Sequence, residues 1–174
     1  MKRAALFACL IAFATPAFAQ APSATGGPML SQAERDTIAA RVRSGANCTR
    51  CDLFQINLSY QALANRNFSG SRIRQAEFSL ATADGANFNG ANLSLTNFFG
   101  ARLSHADLRD TNLEGATLVG AYLGGARMQG AVLTGANLSG AELADAVGLS
   151  QAQLNSACGD ATTTLPPGLT LPRC

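Results

Sequence analysis

The sequence predicts an all-β solenoid with a short helical cap at each end. Three observations predict it. From Cys51 onward a large apolar residue returns at every fifth position, from Leu53, Leu58, Leu63 and Phe68 through to Leu138 and Leu143, with Ala83 the one interruption. A small residue, most often Ala, stands two places before most of these, and Gly stands two places after many. A strict period of five matches neither the 3.6 of a helix nor the 2.0 of a flat strand.

Taken in order, the elements begin with Met1 to Ala19. Lys2 and Arg3 precede an apolar run from Ala4 to Ala14, and Ala17-Phe18-Ala19 is a small-x-small cleavage site, so residues 1–19 read as a secretory signal peptide. A lipoprotein signal ending at Cys9 competes, though few apolar residues precede that cysteine. The run is too short for a permanent bilayer span, and no later stretch is longer, so no integral membrane span is expected. Residues 20–30, rich in Ala, Pro, Gly and Ser, read as a flexible leader.

Residues 31–50 read as an N-terminal helical cap. Ser31-Gln-Ala-Glu34 is a capping box, Ile38 and Val42 follow at helical spacing, and Gly45 is a stop, which predicts a helix over Gln32 to Ser44.

Residues 51–147 form the repeat. On an extended segment residues two apart share a face, so Ala-x-Leu turns both side chains inward and the residue between them outward. Each five-residue unit is then one short side plus a corner, and Gly suits the backbone angles a sharp corner needs. Single units cannot bury their inner face, so coils must stack.

Residues 148–174 read as the C-terminal cap. Ser150 with Gln153 is a second capping box and Leu149 with Leu154 a hydrophobic staple, which predicts a helix to about Cys158. The Pro-rich tail Thr164 to Cys174 cannot be helical and should close the base with Leu165, Leu169 and Leu171.

The stretches GANFNGANLSLTNFFGARLSHADL and LEGATLVGAYLGGARMQGAVLTGANLSGAEL resemble the pentapeptide-repeat family, whose unit is close to A-[DN]-L-x-x. The resemblance runs from about Cys51 to Ala146. It implies a right-handed quadrilateral parallel β-helix, four units to a coil, stacking at a step of twenty residues. Nearly five coils follow, a rod roughly 23 Å long at the inter-strand spacing. That register stacks Phe68 on Phe88 and Phe78 on Phe98, around Ala83, as volume compensation in the core. It also sets Asn67 over Asn87 and Asn92 over Asn112 as amide ladders. Ile56, Gln61, Arg66 and Ser71 replace the small inward residue, so the first coil should be wider or opened for its cap. The Gln-Leu-x-x-Ala-Cys-Gly-Asp ending and final Pro-x-Cys are similar to those of small exported members.

Beyond the expected signal the chain holds Cys48, Cys51, Cys158 and Cys174, an even count that favours disulfides in an exported protein. Of three connectivities, the solenoid allows the one that joins Cys48 to Cys51 at one end and Cys158 to Cys174 at the other, because a bridge needs Cα atoms within about 7 Å. Cys48-Thr-Arg-Cys51 is also the one motif that could exchange disulfides, yet it follows a helix instead of starting one. A redox role and metal binding stay as alternatives for it, although no second Cys pair or His completes a four-ligand set.

No catalytic, cofactor or metal residue stands out. His105, the only histidine, falls at a corner with no second base nearby. Acidic residues are scattered outward, and Asp107 should stack beside Arg127 as a surface ion pair worth under about 1 kcal/mol. Without Lys2 and Arg3 the 11 remaining arginines balance the 11 acids. That neutrality argues against nucleic acid as a partner and against acidic mimicry of DNA. Phe99 and Val119 should project one above the other with Leu80 and Leu95 at nearby corners, a candidate protein-contact patch. The expected function is therefore a non-enzymatic, periplasmic or secreted structural and interaction module with an envelope protein as partner. Two alternatives remain: inhibition of a DNA-processing enzyme by DNA mimicry, which the resemblance to quinolone-resistance members implies for some relatives, and a thiol-disulfide protein using Cys48 and Cys51.

Overall fold

The structure is a computed structural model that describes residues 30–174. The expected signal peptide and nearly all of the leader lie outside the described residues. Among the described residues no helix is long and apolar enough to cross a membrane.

Corner chemistry sets the fold. In coil 1 the sides are residues 51–54, 56–59, 61–64 and 66–69, separated by corners at Gln55, Tyr60, Asn65 and Gly70. Coils 2 to 5 repeat this at steps of twenty. At the first corner the Ile56 N–H donates to the Leu53 carbonyl at 3.2 Å, closing a four-residue turn whose third residue, Gln55, has φ of 56°. A positive φ at that place is the type II geometry, which favours Gly. From Gly115 to Gly140 each corner is Gly, whereas earlier corners include Gln75, Leu80, Leu95, His105 and Asp110, all at positive φ. At Gly100 (φ 60°) a Cβ would stand 2.7 Å from Leu80 Cδ2, because the leucine one coil below leans over this corner.

Between corners, one residue per side pairs with its equivalent twenty places on, from Asp52 with Arg72 to Arg127 with Val147, all parallel. Three inter-coil hydrogen bonds accompany each unit, as in Leu53 N–H to Arg72 O, Gln55 N–H to Arg74 O, and Arg72 N–H to Cys51 O, at 2.8, 3.1 and 2.9 Å. The expected coil register therefore holds. No extended strand forms among the described residues, since corners take so much of every unit that each short side keeps a single bridged residue.

The inward residues build one continuous core of fully buried side chains. Each buried Leu or Phe contributes roughly 2 kcal/mol by leaving water. Phe68 stacks on Phe88 at 5.1 Å, Phe78 lies on Phe98 at 5.1 Å, and the two columns meet edge to face at 6.1–6.3 Å. Ala83 is fully buried in the adjoining column of the core, in line with the expected compensation. Thr96 and Thr111 also point inward, their hydroxyls donating to the Ile73 and Leu108 carbonyls.

The outward asparagines behave differently from the expected ladders. Asn67 and Asn87 do pair through their backbones. Their Oδ1 atoms, however, accept from the Ser69 and Asn89 N–H groups two residues on, at 3.0 and 2.9 Å. Asn92 and Asn112 do the same with Ser94 and Glu114. The turn leaves that N–H without a backbone partner, so a local Asx bond captures the amide that would otherwise reach the next coil.

Helix α1, Gln32–Arg43, starts in the predicted capping box and buries Ala39 and Val42 over the open first coil. The irregular inward positions are its seat. Arg66 donates to the Gly45 carbonyl beyond the helix C-terminus, a favourable place for a cation. Ser71 Oγ donates to Cys48 O and accepts from Cys51 N–H. Helix α2 is Gln151–Leu154 alone, shorter than predicted. It ends because the chain must return to the coil register: Gly135 N–H donates to Ser156 O, and Cys158 pairs with Asn137. Leu154 plugs the base, Gln153 Nε2 donates to the Met128 and Ala131 carbonyls, and Leu149, Leu165, Leu169 and Leu171 pack beneath.

Candidate functional site

Two disulfides occupy the ends. Cys48 joins Cys51 where α1 meets coil 1, and Cys158 joins Cys174, tying the tail to the last coil. Cys48 is buried, and the backbone on both sides of the first bridge is held by Ser71 and by the Cys48 N–H to Asn67 O bond. Among the described residues no group of three His, Cys, Asp or Glu could hold a metal ion.

The charged groups form local pairs. Asp107 lies 3.8 Å from Arg127, as expected, but its nearer partner is Arg109 at 2.6 Å, two residues along the same side. The hydrogen bond from Arg109 holds the Asp107 carboxyl below its usual value. Arg72 pairs with Asp52 and lies 4.7 Å over the Phe54 ring, and Arg102 pairs with Asp84. Among the described residues, Asp52, Asp84 and Asp107 thus each have an arginine partner. A polar groove of about 290 Å³ runs along the first side, lined by Arg74, Asn92, Ser94, Leu95, Asn112 and Glu114. His105 is exposed at its corner, as expected.

The apolar surface is more organised than the sequence indicated. Phe99 is exposed, and half-buried Val119 stands one coil above it on the second side. Leu80 occupies the corner ending that side, against Gly100. Leu95 belongs to the other corner of the same side, leaning over Gly115, so the structure parts it from the rest. In its place stand two tyrosines that sequence reasoning missed. Tyr60, 75% exposed, is the same corner one coil below Leu80, and Tyr122 is exposed just past that corner in coil 4. The signal was available: a step of twenty back from Leu80 reaches position 60. Together Tyr60, Leu80, Phe99, Val119 and Tyr122 make an apolar ridge along one corner through four coils.

The pattern of the family Pentapeptide repeats matches in eight copies over residues 63–158. A trypsin-treated form of QnrB1, a plasmid-mediated fluoroquinolone resistance protein, aligns with a TM-score of 0.53 at 23% identity, over 70% of this chain and 62% of its own. The chain thus spans less than two thirds of that protein, and the likeness is one of fold. A pentapeptide repeat protein from the Arabidopsis thaliana thylakoid lumen aligns at 33% identity over 59% of this chain and 81% of its own, with a TM-score of 0.33. One from Nostoc aligns at 28% identity over 83% and 93%, with a TM-score of 0.29. No curated protein matches the sequence.

Proposed function

Because the chain belongs to the pentapeptide-repeat family, we propose that it works without catalysis, as a rigid exported platform whose corner ridge contacts protein. The observation that carries this reading is the ridge itself. Scattered exposed apolar residues such as Val132 and Val147 are ordinary, but several gathered along one corner through four coils mark a contact surface. The reading of residues 1–19 as a secretory signal supports a partner in the cell envelope or outside the cell.

The two disulfides act as end clamps in this reading. Asp52, Asp84 and Asp107 are each paired with an arginine, which argues against a DNA-like surface. The test is a crosslinking pull-down from the cell envelope with the wild type and a Phe99→Asp, Val119→Asp variant. A partner held by the wild type and lost by a variant that stays folded supports the ridge. Equal capture by both proteins moves the contact elsewhere.

A further inference from the structure

Of the two end clamps, the N-terminal one closes almost nothing. Cys48 and Cys51 flank a corner whose third residue, Arg50, has φ of 54°, and their Cα atoms stand 5.4 Å apart. A tight turn brings its first and last residues within about 7 Å with no crosslink, and so short a loop gains little from covalent closure. Hydrogen bonds already hold the corner. Cys48 N–H donates to Asn67 O at 2.8 Å, Arg50 N–H to Ser69 O at 2.9 Å, and Arg72 N–H to Cys51 O at 2.9 Å. Where the Leu53 corner has its own N–H to carbonyl bond, this one has the Ser71 hydroxyl, which accepts from Cys51 N–H and donates to Cys48 O. The bridge can therefore open while the coil stays closed. The Cys158–Cys174 bridge differs, since it secures a tail across a sequence separation of 16.

The two sulfurs differ in access. Cys48 is 6% exposed and Cys51 only half-buried, so an incoming group meets Cys51 first. Their surroundings are cationic. The first and fourth sides meet at this corner, and in coils 1 and 2 they carry Arg66, Arg72 and Arg74 against one acid, Asp52, which Arg72 engages. Arg50 stands between the cysteines, and Arg66 Nε is buried without a hydrogen-bond partner among the described residues. Positive charge near a thiol lowers its pKa, and a sulfur of low pKa is the better leaving group. The arginines thus supply what a helix start supplies in other exchange motifs.

We propose that Cys48–Cys51 is a thiol–disulfide exchange site whose substrate is a protein or peptide dithiol. A thiolate of the dithiol attacks Cys51 Sγ. The new S–S bond forms as the Cys51–Cys48 bond breaks, and the electron pair leaves on Cys48 Sγ, which then takes a proton. The second thiolate of the dithiol attacks its own bridged sulfur, and Cys51 Sγ leaves and is protonated in turn. The dithiol has lost two electrons and two protons and become a disulfide; the chain holds both as two thiols.

The test equilibrates the purified protein in glutathione buffers of graded ratio and counts alkylated cysteines by mass spectrometry. Cys48–Cys51 is expected to be half reduced at a value of [GSH]²/[GSSG] at least about a hundredfold below that for Cys158–Cys174, with an unchanged circular dichroism spectrum. The oxidised protein should also convert a reduced two-cysteine peptide to its disulfide in equal amount, and a Cys48→Ala, Cys51→Ala variant should not. In the single variants, Cys51 left by Cys48→Ala should form a mixed disulfide with oxidised glutathione at least about tenfold faster than Cys48 left by Cys51→Ala. Equal reduction of the two bridges overturns the inference, as does loss of the spectrum in step with Cys48–Cys51 reduction, or a peptide that stays reduced. Faster reaction of Cys48 overturns the assignment of the two sulfurs. None of these outcomes touches the ridge, because Phe99 and Val119 lie on the second side, away from this corner.

Discussion

Asp160 is the one acidic side chain of the C-terminal cap, and its carboxylate accepts from the Thr162 hydroxyl and N–H, the Gly140 N–H and the Thr163 hydroxyl. Those bonds, led by the Thr162 hydroxyl, lower its pKa below the ordinary aspartate value. A carboxyl depressed in the folded state stabilises fully above its unfolded pKa, and that contribution is lost as pH falls through the folded value. The cap should therefore loosen below about pH 4, and Asp160→Asn should flatten this part of the acid limb. Thermal midpoints of both proteins from pH 5 to pH 2 would show it, and parallel curves would remove Asp160 from the account. Individual residues were unevenly legible in the sequence. The inward Leu and Phe positions follow from the period alone. The acceptor role of the asparagines does not, because it depends on a turn N–H whose lack of a backbone partner appears only once the corner is built.

Among the elements, both helices begin where their capping boxes place them, and one of them ends early. The capping signal is local and chemical, whereas the end of α2 is decided by the coil above it, which needs Ser156 and Cys158 back in register. Tail closure follows the same logic. Cys174 N–H donates to Gly159 O, Gly159 N–H donates to Pro172 O, and the disulfide fixes the crossing. That bridge closes a loop of sequence separation 16, so a Cys158→Ser, Cys174→Ser variant should lose about 3 kcal/mol in urea unfolding. Exchange protection should fall first at the amides of residues 158–164. A loss under about 1 kcal/mol would mean that Leu154 and the three tail leucines close the base unaided.

For the whole molecule, a solenoid's stability is a sum over neighbouring coils, so a core defect acts locally before it acts globally. Phe88 lies in contact with Phe68, Phe78 and Phe98, spanning coils 1 to 3. Phe88→Ala should cost about 3–5 kcal/mol and expose the amides of those coils ahead of the C-terminal ones. Uniform loss of protection along the rod would instead show a single cooperative unit. The architecture was legible at this scale because a period repeated so often leaves one stacking register. The surface was less so, since the ridge gathers residues that lie a coil or more apart in the sequence. One feature of that ridge reaches into spectroscopy. The chain has no tryptophan, and its two tyrosines, Tyr60 and Tyr122, both stand on the ridge with their rings exposed. Its near-ultraviolet emission is therefore silent about the phenylalanine core and reports on one surface only. Quenching by acrylamide reads whether that corner is covered, with no label attached.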